Sequence, residues 1–114
     1  MAKTDDVELM RGTLDLLILK ALSLGPLHGL GVMRWIEGVT GSRLSVEEGA
    51  LYPALHRMEE KGWLGAEWVL TEKGRKARAY RLTPAGRRQL AAEVSRWSSY
   101  AEVVGLVLAA GGAR

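Results

Sequence analysis

The spacing of apolar residues along this chain changes period twice, and that change restricts the possible folds more than any other feature. From Thr13 onward, Leu14, Leu17, Ile18, Ala21 and Leu22 recur every three or four positions, the spacing of one helix face. Leu16, Leu19 and Leu24 widen the stripe, so this helix is expected to be buried on more than one side. Gly25 and Pro26 stop it, the glycine accepting a left-handed cap and the proline unable to continue the ladder. A second helix is expected from about His28 to Val39, with Leu30, Met33 and Ile36 inward, ending near Gly41. Its internal glycines weaken it, so packing must hold it. Ser45, Val46, Glu47 and Glu48 have the form of a capping box and predict the start of a third helix, which Gly62 closes. Along that helix Leu51, Ala54, Leu55 and Met58 face inward, and Glu48, Tyr52, His56 and Arg57 face out.

The period then falls to two. Ala66, Trp68 and Leu70 alternate, Glu72, Lys73 and Gly74 form a turn, and Tyr80 and Leu82 share a face of a second run. This predicts a two-stranded hairpin. Thr83 is a helix cap and Pro84 suits the first helical position, so a last helix should run to about Ala110, before Gly111 and Gly112. Three helices, a small β-hairpin and one long helix make a mainly α winged helix-turn-helix. Residues 1–83 would be its DNA-binding part and residues 84–114 a C-terminal dimerisation helix of the same compact unit.

A chain of 114 residues with 47% apolar and 25% charged residues has room for one core and the composition of a folded domain. With no cysteine, a disulfide framework, a thiolate zinc site and a cysteine nucleophile are excluded. His28 and His56 are the only histidines, on different helices, with no nucleophile or carboxylate placed beside them by a motif, so neither an enzyme nor a metal or other cofactor is expected. The segment "GPLHGLGV" is rich in glycine but follows a helix rather than a strand, the wrong setting for a phosphate loop. Met1 to Glu8 lacks the basic start and apolar run of a secretory signal, and the longest apolar stretch is interrupted by Asp15, Lys20 and Ser23. A soluble cytoplasmic protein is the expectation.

Three features carry function. On and after the hairpin, Lys73, Arg75, Lys76, Arg78, Arg81, Arg87 and Arg88 stand against the single acidic Glu72, while the whole chain is only +3. Cations on a tight turn can straddle phosphates or enter a minor groove; alternatively, they guard the edges of a solvated hairpin. The third helix offers Gly49 and Ala50, small enough for close approach to a groove, and Tyr52, able to donate to a phosphate. Tyr52 as a half-buried core residue is the other possibility. In the last helix Leu90, Val94, Trp97, Ala101, Val104 and Leu108 alternate by four and three, a heptad seam that either pairs with a second copy or folds back on its own domain.

The segments "RGTLDLLILKAL", "GPLHGLGV", "LSVEEGALYPALHRMEEKGWL" and "YRLTPAGRRQL", in this order over about residues 9 to 110, resemble the PadR-type transcriptional regulators, in particular the compact branch with a single C-terminal helix. The resemblance implies a homodimeric winged helix-turn-helix repressor that binds a double-stranded, inverted-repeat operator and releases it when an effector binds. It maps the recognition helix to Glu47 through Lys61, with Ala50, Tyr52, Pro53 and His56 facing DNA. The wing maps to Thr71 through Arg78, so Lys73, Arg75, Lys76 and Arg78 are expected to meet DNA. Two positions depart from the family: Leu30 stands where it usually has tyrosine, and Ala50 where it often has serine or threonine. Trp97, with Leu16 and Leu19, is the candidate lining of an effector site for a planar aromatic or cationic compound; alternatively, Trp97 simply fills the core between the last helix and the first, received by Leu16 and Leu19. Two rivals belong to other classes: a small-molecule sensor, and a helical dimerisation adaptor that does not bind DNA.

Overall fold

The computed structural model describes residues 12–112. Met1 to Glu8, read above for a secretory signal, and the start of the first family segment lie outside the described residues. The elements are α1 (Leu14–Leu22), β1 (Leu27–His28), α2 (Gly29–Val39), α3 (Glu48–Glu60), β2 (Leu64–Leu70), β3 (Lys76–Leu82) and α4 (Pro84–Ala109). Winged helix-turn-helix is therefore the architecture.

The core forms where three amphipathic helices meet one face of a small sheet. Ile18, Leu19 and Leu22 come from α1, Val32 and Ile36 from α2, and Leu51, Leu55 and Met58 from α3; Leu64, Tyr80 and Leu82 close the layer from the sheet. The hairpin pairs Leu64 with Leu82, Ala66 with Tyr80, Trp68 with Arg78 and Leu70 with Lys76. The sheet has a third strand that the hairpin reading omits, since β1 pairs Leu27 with Tyr80 and His28 with Ala79 to give the order β1-β3-β2. Two residues carry no period, so this strand leaves no mark in the sequence.

Two local expectations are corrected. Leu30 does not face inward: it is exposed, and Val32 and Ile36 supply the buried positions of α2 instead. The capping box does not form either; α3 begins at Glu48 behind Glu47, with no side-chain cap, and Ser45 is exposed. Val46 between them is buried, and Glu47 is extended, so docking Val46 into the core wins over one solvent-exposed cap.

The other helix starts follow local chemistry. His28 caps α2 by accepting the Gly31 amide on Nδ1 at 3.1 Å. Thr83 caps α4 by accepting the Gly86 amide at 3.0 Å, and its hydroxyl donates to the Gly62 carbonyl at 2.6 Å. Any β-carbon on Gly86 would run into the Trp63 backbone carbonyl, so glycine is what lets α4 sit directly on the turn that follows α3. That contact sets the direction in which α4 leaves the head.

At 26 residues α4 is about 39 Å long. Its first half packs on α1 and β3 through Leu90, yet of the whole helix only Gly86 is buried. The radius of gyration is 16.8 Å, against about 13 Å for a compact chain of similar length. A projecting helix accounts for the difference. Among the described residues no helix is long and apolar enough to cross a membrane.

Candidate nucleic-acid interface

The outer face of α3 and the basic turn of the hairpin, separate in sequence, border one open cleft of about 1090 Å³. Tyr52, His56 and Glu59 form its helix wall; Trp68, Lys73, Arg75, Lys76 and Arg78 form its wing wall, and His28 and Gly29 close one end. Ala50 and Pro53 are exposed on α3 beyond the cleft. Pro53 lies inside the helix, where it can give no amide to the Gly49 carbonyl. The core face of α3, with Leu51, Ala54, Leu55 and Met58 buried, holds this exposed face in place.

Tyr52 rests against the first residue of α2. A β-carbon on Gly29 would lie 2.5 Å from Tyr52 Cε1 and 2.7 Å from its hydroxyl, so only glycine leaves the ring where it is. Burial pushes the Tyr52 hydroxyl above its usual range, and the Glu48 carboxylate and Tyr80 push the same way. The hydroxyl therefore keeps its proton and remains a donor at neutral pH.

The wing turn is built by Thr71. Its amide donates to the Arg75 carbonyl at 2.8 Å, its carbonyl accepts from Gly74 at 2.9 Å, and its hydroxyl accepts from the Arg75 amide at 3.2 Å. Lys73, Arg75 and Lys76 project from this turn and are exposed. Arg78 is different, because its Nη2 lies 2.7 Å from Glu59 Oε2 and its guanidinium sits 5.4 Å from the centre of the Trp68 ring. The sequence reading also passed over Trp68, which lines the cleft; Leu70, next on the same strand face, lies outside that lining. They are 62% and 71% exposed on the strand face that farther down packs into the core. Their alternation was visible, but not the point at which the sheet outruns the core.

On α4, Val94, Trp97, Ala101 and Leu108 are exposed, whereas Leu90 and Val104 are half-buried. Leu90 packs against the core of its own chain. Trp97 shares a groove of about 340 Å³ with Leu16, Glu93, Arg96 and Tyr100, and its ring centre is 6.4 Å from that of Tyr100. Leu19 is fully buried in the core and does not reach this groove. No group of three or more potential metal ligands occurs among the described residues.

A three-helix head, a basic β-wing beside an exposed third helix, and a projecting terminal helix together define a winged helix-turn-helix protein of the regulator type. Residues 18–92 match the transcriptional regulator PadR-like family, and the chain belongs to that family, whose members are transcriptional regulators rather than enzymes. It is 47% identical over 79 residues to an uncharacterized 37.1 kDa protein in transposon TN4556 of Streptomyces fradiae, a match that takes in 69% of this chain but 21% of that protein. To the transcriptional regulator Rv3488 of Mycobacterium tuberculosis it is 37% identical over 84 residues, 73% of this chain and 74% of the relative. A PadR family transcriptional regulator from Eggerthella lenta superposes with a TM-score of 0.78 at 29% identity, covering 89% of this chain and 86% of that one.

Proposed function

We propose that this regulator binds double-stranded DNA sequence-specifically as a homodimer and represses transcription until an effector displaces it. The observation that carries the reading is the single cleft shared by the exposed face of α3 and the wing cations Lys73, Arg75 and Lys76. A helix with small residues at its start can enter a major groove while a cationic turn follows the neighbouring backbone. Ala50, with no polar atom, offers an apolar contact such as a thymine methyl; Tyr52 and His56 offer donors; Pro53 stiffens the approach. The exposed part of the α4 stripe, Val94, Trp97, Ala101 and Leu108 with the half-buried Val104, is the proposed dimer seam, and a two-fold protein suits a two-fold operator. The groove at Trp97 and Leu16 is the proposed effector site for a planar or cationic compound.

The test is a mobility-shift titration at physiological salt with duplex from upstream of the chain's own gene and with random duplex. Tighter binding to the upstream duplex supports the regulator. Equal binding to both removes it and favours the adaptor or sensor. Quenching of tryptophan emission by planar dyes, compared between the parent and Trp97→Phe, tests the effector site separately; equal quenching, or none, would refute it.

A further inference from the structure

The outer half of the wing has no core beneath it. Beyond Ala66 and Tyr80 the hairpin leaves the apolar layer, and the residues continuing its inner face, Trp68 and Leu70, are largely exposed. What ties this half to α3 is a polar link between residues 19 apart in sequence, Arg78 on β3 and Glu59 in the last turn of α3. Their side chains are 31% and 30% exposed, so the pair is better shielded from water than an ordinary surface ion pair. The guanidinium also lies over Trp68, its partner across the strands, and its Nε is buried without a hydrogen-bond partner. Three elements, α3, β2 and β3, thus converge on one planar cation.

We propose that Arg78, held by Glu59 and Trp68, is a positioning residue that fixes the distance between the wing and α3, rather than one of the cations that meet phosphate. This rests on the reading of the cleft as a DNA site. With Nη2 on the carboxylate, Nε buried and one face over the ring, the guanidinium can offer a backbone phosphate only what those contacts leave uncovered. Arginine suits the post because one flat group stacks and bonds at the same time; lysine supplies the charge alone. Glu59, an acidic group in a cleft meant for a polyanion, acquires a reason to be there.

The experiment selects the preferred duplex of the parent chain from a random library, then measures affinity for it and for random duplex across a salt series. Variants are Glu59→Gln, Arg78→Lys, Arg78→Gln and, for comparison, Arg75→Ala. Glu59→Gln should weaken the selected duplex roughly tenfold while binding random duplex as well as the parent or better, because a negative charge has gone. Arg78→Lys should lose the same preference. Arg78→Gln should keep the parent's salt slope, while Arg75→Ala makes it shallower by about 0.9. The proposal is overturned if Glu59→Gln binds the selected duplex as tightly as the parent, if Arg78→Lys keeps the preference, or if Arg78→Gln flattens the slope as Arg75→Ala does. A double-mutant cycle of Glu59→Gln and Arg78→Gln on the thermal stability of the DNA-free protein tests the strut by itself: no coupling overturns it whatever the DNA does. Failure of the parent to select any duplex overturns the DNA reading, and the positioning role with it, while the cycle still reports the pair.

Discussion

Gly29 shows how one absent methyl group can matter to the site it borders. Its backbone presses on the Tyr52 ring, so Gly29→Ala must turn that ring out of its place. The expected result is several-fold weaker binding to the preferred duplex, within the roughly 0.5 to 1.5 kcal/mol of one hydrogen bond, and Tyr52→Phe should lose a similar amount. Titration of both variants checks this; normal binding by Tyr52→Phe would return the residue to a packing role. Asp15 yields a pH prediction. It pairs with Arg57 at 2.8 Å, but burial holds its carboxyl above the usual 3.8; Arg57 pulls down, and Glu93 adds to the rise. The folded chain therefore holds this proton more tightly than the unfolded chain. Stability from the protonated group is present below 3.8 and is lost as pH rises through the raised folded value. Thermal melts of the parent minus those of Asp15→Asn should fall as pH climbs through that window; a difference that rises would contradict it. At this scale the sequence was least legible. Arg78 read as one more wing cation because its carboxylate partner is 19 positions away, and Leu30 read as inward because a helical stripe does not say where a small core ends.

Whole elements were easier to read, since each boundary has a local cause. Thr83 and Pro84 mark the start of α4 by chemistry confined to a few adjacent residues, and the change of period marks the hairpin. The exceptions are equally physical. β1 has two residues, too few to show alternation, and exists because β3 offers it an edge. The Ser45 cap lost to the burial of Val46, a tertiary contact no local motif reports. For the wing as an element, Lys73→Ala, Arg75→Ala and Lys76→Ala should each weaken binding to all duplexes by similar factors. Each should make the slope of log affinity against log salt shallower by about 0.9, because phosphate contacts do not read bases. A variant that loses preference but keeps its slope would instead place that residue on base edges.

Over the whole molecule, the chain is a small head on a long helix, and the helix is the part whose surroundings a single chain leaves incomplete. Val94 is 45% exposed on α4, so Val94→Asp should leave the head folded but set a charge in the proposed seam, where burying it is costly. Sedimentation should show dimers for the parent at micromolar concentration and monomers for the variant. A monomeric parent would remove the seam. If two copies do join through α4, the helix is a lever as well as a clasp. Over about 39 Å, a tilt of about 5° at the joint sweeps the head through about 3.4 Å, one base-pair step along a strand. Two recognition helices that match their half-sites at one tilt would then stand out of register at another, with neither head having changed shape.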